Sequence, residues 1–128
     1  MLNQNKRYLK GHIGFVLAVI FLLLVIADSN ASAQDKYVIL YEHPNYTGDS
    51  LVIHEGTNLP VMPPGWNYEV SSIRVYNGAV IYGYLREGYA SRKKDCISTN
   101  VPDMRTRGFD DQIMSLRWVN TSNILLIL

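Results

Sequence analysis

Few side chains of this 128-residue chain could carry out catalysis. The candidates are its single cysteine, Cys96, and the histidines His43 and His54, which no local motif brings together. An enzyme needs a nucleophile and an acid or base within reach of each other. A pairing of Cys96 with His43 is left open, but packing of Cys96 within a strand is the simpler expectation. One cysteine also excludes an intramolecular disulfide framework and a cysteine-based zinc site. We therefore predict a non-enzymatic protein.

The N-terminus has the layout of a secretory signal peptide. Three basic residues precede fifteen consecutive apolar residues (13–27), and Ala31-Ser32-Ala33 follows as a cleavage sequence. The apolar run is shorter than the roughly 20 residues of a transmembrane helix. We expect residues 1–33 to be a signal peptide and the remainder to be secreted. An uncleaved segment would instead tether the same domain outside the membrane.

Size and charge narrow the function of the secreted part. Residues 34–128 are enough for one domain with its own core. They contain nine basic and ten acidic residues, a net charge of −1. A near-neutral domain has no global electrostatic reason to bind nucleic acid or an anionic membrane. We therefore expect neither as a partner.

Residues 34–119 have the pattern of an all-β domain. Short runs rich in β-branched and aromatic residues recur, with turn-forming sequences such as Thr47-Gly48-Asp49 and Asn77-Gly78 between them. The predicted strands are residues 37–41, 51–54, 72–76, 80–84 and 113–119. This spacing is typical of a sandwich or barrel.

The domain also repeats itself at an interval of 43 residues. Five identities result without a gap: Tyr41 on Tyr84, Tyr46 on Tyr89, Gly65 on Gly108, Ser72 on Ser115 and Arg74 on Arg117. They fall at strand ends and turns, whereas residues 51–64 do not match, which fits a variable loop. Two copies, at about 36–77 and 79–119, predict a sandwich of two Greek keys.

The first copy contains the motif Tyr41-x-x-x-x-Tyr46-x-Gly48, with Ser72 downstream. This motif resembles the aromatic-corner signature of the βγ-crystallin family, in its microbial single-domain form. The spacing of Tyr41 and Tyr46 around a turn also allows an edge-to-face contact between their rings, whatever the family.

The second copy keeps most of this signature. Tyr84, Tyr89 and Ser115 occupy the corresponding positions, but Ser91 replaces the signature glycine. Because that glycine is expected to have a positive φ, Ser91 predicts strain or an altered turn in the second hairpin.

The resemblance implies a calcium motif in each key. The two copies are Asn67-Tyr68-Glu69-Val70-Ser71-Ser72 and Asp110-Asp111-Gln112-Ile113-Met114-Ser115. Carboxylate, amide, hydroxyl and carbonyl oxygens suit a hard cation such as Ca²⁺. Neither copy is intact, since Tyr68 and Met114 stand where oxygen ligands are expected.

In the family, each ion is shared between the two loops. The second-position side chain and the third-position carbonyl of one loop bind the ion together with the fifth-position hydroxyl of the other loop. The resemblance therefore implies one ion held by Asp111, the Gln112 carbonyl and the Ser71 hydroxyl, while the other site keeps only the Glu69 carbonyl. We predict one weakly bound Ca²⁺, with a Kd of about 10⁻⁴ to 10⁻³ M.

The residues at the first and sixth positions of each motif are expected to have structural roles. Asn67 and Asp110 are predicted to cap their loops by accepting hydrogen bonds from backbone N–H groups two residues on. Ser72 and Ser115 are predicted to form hydrogen bonds within the fold.

The sequence leaves the roles of three other segments open. The proline-containing loop 55–65 offers an alternative function as a binding or protease-inhibitor-like module that does not depend on calcium. The basic run 92–94 is expected to be a solvated strand face, or else to contact an anionic polymer or a protein. The apolar tail within residues 120–128 could add an edge strand, cover the sandwich or pair two chains.

Overall fold

A computed structural model describes residues 33–121. The predicted signal peptide up to residue 32, and the tail from residue 122, lie outside the described residues. The compact unit that contains the fold begins at Gln34. Within the described range, no helix is long and apolar enough to cross a membrane.

Within residues 33–121, six strands form two antiparallel sheets of three strands each. The strands are β1 (Tyr37–His43), β2 (Thr47–His54), β3 (Ser72–Tyr76), β4 (Ile81–Tyr84), β5 (Lys94–Ile97) and β6 (Ser115–Trp118). The first sheet has the order β2-β1-β3 and the second has the order β5-β4-β6. Each sheet is therefore built from one copy of the repeat, and the predicted all-β fold of two Greek keys is confirmed.

The predicted strand boundaries need correction. Strand β1 extends to His43, and β2 begins at Thr47, so Thr47-Gly48-Asp49 belongs to a strand and not to a turn. The turn between them is a short 3-10 segment, Pro44–Tyr46. Strand β4 begins one residue later than predicted. Strand β6 covers only Ser115–Trp118, because the residues before it belong to the motif loop.

Strand β5 has no counterpart among the predicted strands, and it contains Cys96. The expectation that Cys96 packs inside the protein is wrong, because its side chain is exposed. Cys96 lies directly opposite Tyr82 of β4, and directly opposed residues project on the same face of a sheet. That face is the outer one, since the adjacent Ile81 and Ile97 are fully buried.

The two hairpins differ in register by one residue. Val38 of β1 pairs with Ile53, whereas its repeat partner Ile81 pairs with Ile97. These two isoleucines are therefore 44 residues apart instead of 43. The second hairpin has one additional residue, which puts the ungapped comparison out of register after residue 50 until the matches resume at Gly65.

Each long loop pairs with the sheet of the other key. Leu59, from the first key, bridges Leu116 of β6, and Val101, from the second key, bridges Ile73 of β3. Each bridge has two N–H···O=C hydrogen bonds of 2.8–2.9 Å. These exchanged contacts fix the two keys against each other.

Loop 55–65 is held by the second key over much of its length. Its Pro60 carbonyl accepts a hydrogen bond from Gly88 N–H at 2.7 Å, and its Met62 N–H donates to the Met114 carbonyl at 3.2 Å. The Met62 side chain is buried in the core. A loop held in this way gives no support to the alternative of a protruding inhibitory loop.

The core lies between the sheets and draws on both keys. Alternate residues of the strands project into it, as expected for a sandwich. The largest fully buried apolar side chains are Leu40, Ile73, Ile81, Ile97, Met104, Ile113 and Leu116. Ile113, the fourth residue of the second motif, contributes to this core and so anchors the motif loop.

Candidate metal site

A pair of aromatic residues forms a corner in each key. The rings of Tyr41 and Tyr46 meet edge to face, with centroids 5.8 Å apart and planes at 66°. Tyr84 and Tyr89 form the equivalent pair, at 5.5 Å and 60°. These contacts fix the path of the chain between the first two strands of each key.

A buried serine anchors each corner. Ser72 Oγ donates to the His43 carbonyl at 2.6 Å and accepts from Tyr46 N–H at 3.0 Å. Ser115 makes the same two contacts in the second key, at 2.6 Å and 3.2 Å. Both serines are fully buried, so each satisfies two backbone groups that would otherwise lack partners.

The position after the corner differs between the keys. Gly48 has a φ of +79°, and a Cβ atom there would lie 2.9 Å from His43 Cδ2. Ser91, at the equivalent position, is not among the residues with positive φ. The second hairpin therefore takes an altered turn and avoids the strain.

The two motif loops lie side by side, although they come from different keys. Ser71 Oγ donates a hydrogen bond of 3.0 Å to Asp111 Oδ1. On the other side, Tyr68 Oη lies 3.0 Å from Met114 Sδ. Each contact joins the second position of one motif to the fifth position of the other. The structure thus brings together the Ser71–Asp111 pair on which the predicted calcium site depends.

The second motif position has the same backbone conformation in both loops. Asp111 has a φ of 49° and Tyr68 a φ of 66°, both in the left-handed region. Asparagine and aspartate tolerate this region best among non-glycine residues, whereas a bulky side chain is strained there. The loop geometry therefore favours the residue type that could also bind a cation.

The oxygens present at the Ser71–Asp111 pair fit calcium. At Ca–O distances of 2.3–2.6 Å, adjacent equatorial oxygens in a pentagonal-bipyramidal site are about 2.7 to 3.1 Å apart. The observed separation of 3.0 Å lies in that range. The Gln112 carbonyl is next in sequence, and it accepts no backbone hydrogen bond from residues 33–121. It is therefore available as a further oxygen ligand.

The predicted caps at the first motif position are not formed. The Oδ1 atoms of Asn67 and Asp110 are buried and have no hydrogen-bond partner within the described part of the chain. In the second loop the reason is clear, because Gln112 N–H donates to the Phe109 carbonyl at 3.2 Å and not to Asp110. A buried oxygen without a donor is costly, and it recurs at the same place in both motifs.

No compact cluster of acids or imidazoles is present at this site. Among residues 33–121, no group of three or more His, Cys, Asp or Glu side chains could hold a metal ion. Three carboxylates, of Glu42, Asp49 and Glu69, line a small cleft of about 50 Å³ beside Trp66. Sequence reasoning missed this cleft, because its residues come from separate segments. An ion between the motif loops would have to use mainly hydroxyl and carbonyl oxygens.

The comparison with protein families agrees with this architecture. The model of the Beta/Gamma crystallin family matches residues 37–119, which span both keys. The chain belongs to the βγ-crystallin family. Domains of this family are generally non-enzymatic and structural.

Solved structures show the same fold. An archaeal βγ-crystallin has 24% sequence identity and a TM-score of 0.58, over 66% of this chain and 98% of its own. A structure described under the evolution of the eye lens βγ-crystallin domain fold has 25% identity and a TM-score of 0.62, over 69% and 89%. A βγ-crystallin domain from Flavobacterium johnsoniae has 21% identity and a TM-score of 0.56, over 66% and 96%. Among curated protein sequences, none matches the chain.

Proposed function

We propose that this protein is a secreted, non-enzymatic βγ-crystallin domain that binds one calcium ion weakly between its two keys and is stabilised by that ion. The observation that carries the proposal is the contact between Ser71 Oγ and Asp111 Oδ1. It joins a hydroxyl of one motif to a carboxylate of the other at a separation suited to calcium. Export rests on the sequence of residues 1–33 alone.

Each residue at the site has a distinct part in binding. The Asp111 carboxylate supplies negative charge, and the Gln112 carbonyl supplies a neutral oxygen. The Ser71 hydroxyl oxygen can coordinate the ion only if its proton turns away from Asp111. Binding therefore replaces one hydrogen bond, which limits the affinity. One carboxylate in an exposed loop gives a Kd of about 10⁻⁴ to 10⁻³ M, as in other extracellular modules.

An ion at this site would stabilise the fold by linking the two keys. Ser71 and Asp111 are 40 residues apart in sequence, so both ligands are in place only when the keys are docked. Calcium would then bind the native state and not the unfolded chain. At 1 mM calcium and a Kd near 0.2 mM, the gain in unfolding free energy is about 1 kcal/mol.

The second possible calcium site between the two motif loops is closed without an ion. Tyr68 Oη and Met114 Sδ contact each other directly, and neither a phenol nor a thioether is a ligand that calcium prefers. This contact closes the loops in the place where a second cation would otherwise be shared. The protein is therefore proposed to bind one ion and not two.

A calorimetric titration of residues 34–128 with calcium tests the proposal. Asp111→Gly removes the carboxylate while keeping a residue that tolerates positive φ. Tyr68→Gly makes the equivalent change in the other loop and is the matched control. We expect one ion for the wild type and for Tyr68→Gly, and none for Asp111→Gly. Calcium binding retained by Asp111→Gly, or lost equally from both variants, would contradict the site.

A converse experiment tests why only one ion binds. The double substitution Tyr68→Asn with Met114→Ser supplies oxygen ligands at both altered positions. We expect the calcium stoichiometry to rise from one to two. An unchanged stoichiometry would show that these two residues are not what prevents the second ion from binding.

A further inference from the structure

A second cleft lies on the outer face of the second sheet, apart from the residues of the metal site. It has a volume of about 260 Å³, and its lining includes Tyr82, Tyr84, Lys94, Arg117 and Trp118. Tyr84, only 6% exposed, forms the floor beside the half-buried Tyr82, while Lys94 and Arg117 are exposed. Trp118 lies opposite the fully buried Ile81 and packs in the core, so it contributes only to the rim of the cleft. The cleft thus combines aromatic surfaces with two cationic side chains.

The two cations have no carboxylate partner among residues 33–121. Lys94 Nζ lies 4.4 Å from the ring centroid of Tyr82, and Arg117 Cζ lies 5.8 Å from that of Tyr89. Two other basic residues of this key, Arg105 and Arg107, form ion pairs with Asp103 and Asp95. Arg86, Arg92 and Lys93 have no such partner among residues 33–121, but they do not line the cleft. Lys94 and Arg117 therefore keep their charge available for an anion from outside the chain.

The first key provides an internal comparison, because it has the same scaffold with different side chains at two positions of the cleft. Ile39 stands in place of Tyr82, and both lie between their two neighbouring strands in the same way. Ser50, which pairs with Tyr41, occupies the register position of Lys94, which pairs with Tyr84. The fold does not require the aromatic and cationic residues at these positions.

The arginines, by contrast, belong to the shared scaffold. Arg74 lies over Tyr46 in the first key as Arg117 lies over Tyr89 in the second.

The two keys also differ in net charge. Residues 34–77 have five acids and two bases, a net charge of −3, whereas residues 78–121 have five acids and seven bases, a net charge of +2.

From these observations we propose that the cleft on the second sheet binds an acidic oligosaccharide, with a sugar ring against the tyrosines and its carboxylate between Lys94 and Arg117. Aromatic faces provide an apolar surface for a sugar ring, and the cations provide charge-assisted hydrogen bonds. The volume is just below that of typical small-molecule pockets, about 300 to 1,000 Å³, and so suits one or two sugar rings.

A nucleic acid fits the same surface less well. Binding to a polyphosphate backbone uses an extended track of basic residues, whereas this cleft has two. The negative first key would also repel a long polyanion. We therefore assign the cleft to a short acidic saccharide, and an oligonucleotide becomes a competing ligand in the test.

The test is calorimetric titration of residues 34–128 with a galacturonic acid trimer. A neutral galactose trimer and a single-stranded oligonucleotide serve as comparison ligands. The solved archaeal chain, of which 98% is covered, shows that a domain of this extent folds on its own. We expect the acidic trimer to bind in the millimolar range or tighter, with an affinity that falls as salt is added. Calcium removal is expected to leave this binding unchanged, which separates it from the metal site.

Matched variants locate the binding. Lys94→Ser introduces the residue that the first key has at the same register. Arg117→Gln and Arg74→Gln remove equivalent scaffold cations, but only Arg117 lines the cleft. We expect Lys94→Ser and Arg117→Gln to weaken binding about tenfold, as for loss of a hydrogen bond to a charged group, and Arg74→Gln to leave it unchanged. Thermal melts confirm that each variant is folded.

Four results would overturn the proposal. They are equal binding of the neutral trimer, tighter binding of the oligonucleotide, equal weakening by Arg74→Gln and Arg117→Gln, and the absence of any heat at millimolar acidic trimer.

Discussion

Replacing Ser72 with alanine should destabilise the protein more than replacing an exposed residue, and it removes none of the proposed calcium ligands. Ser72 Oγ holds both the His43 carbonyl and the Tyr46 N–H from a fully buried position. Alanine leaves both backbone groups without that partner. A buried group deprived of its partner costs about 1 to 3 kcal/mol. Because His43 is exposed and Tyr46 half-buried, water compensates in part, and we expect a total loss of about 2 to 3 kcal/mol.

The assay is equilibrium denaturation in urea with EDTA present, so that calcium does not contribute. For a domain of this size, the expected loss corresponds to a fall in Tm of about 10 to 20 °C. Ser115→Ala should cost a similar amount, since Ser115 makes the same two contacts. Ser50→Ala, on an exposed part of β2, is the control and should change stability by less than about 0.5 kcal/mol. A loss for Ser72→Ala no larger than that of the control would refute the reasoning.

Three other outcomes follow from the structure. In a thermal melt, Gly48→Ala should lower the free energy of unfolding by about 0.5 to 1.5 kcal/mol more than Gly56→Ala does. Both glycines have a positive φ, but only a Cβ atom at Gly48 would contact other atoms. Equal losses of stability would contradict this. Hydrogen bonds from the Arg105 side chain and backbone N–H lower the pKa of Asp103 below its ordinary 3.8, so stability from this pair is present above that value and is lost as pH falls through the lowered pKa. An NMR titration should show that Arg105→Ala raises this pKa, and an unchanged midpoint would count against the contact. Protein recovered after export should begin at Gln34 by intact mass, whereas retention of the preceding segment would indicate an anchor.

The fold could be predicted because its local requirements recur in both keys. Each corner needs two aromatic rings five residues apart and a distant serine, and this pattern is visible as identities at a constant interval. The motif of Tyr41 and Tyr46 with Ser72 therefore marks a structural unit, and its second copy marks another. Residue types fixed by tight, local geometry are the ones that sequence patterns reveal.

Strand β5 and the register of its hairpin could not be predicted in this way. Lys94-Asp95-Cys96 lacks β-branched residues, and β5 forms because it pairs with β4 along its whole length. The bridges from Leu59 and Val101 to the opposite sheets are also non-local, and nothing in their neighbouring residues indicates the partner. Tertiary pairing determines these features.

The candidate metal site was predictable only in part. Which motif positions face each other was implied by the family resemblance, and the structure places Ser71 next to Asp111. The caps expected for Asn67 and Asp110 are absent, because local backbone N–H groups have other partners in the folded loop. The cleft on the second sheet was indicated only by the basic run that includes Lys94, since its aromatic lining comes from other strands.

The most direct test of the account is a crystal structure of residues 34–128 grown with calcium, with the ion located from its anomalous signal. We predict one ion that contacts Asp111 Oδ1, Ser71 Oγ and the Gln112 carbonyl oxygen, with the Tyr68–Met114 contact still closed. An ion placed elsewhere, or Ser71 and Asp111 still hydrogen-bonded to each other in saturating calcium with no ion between the loops, would contradict the claim.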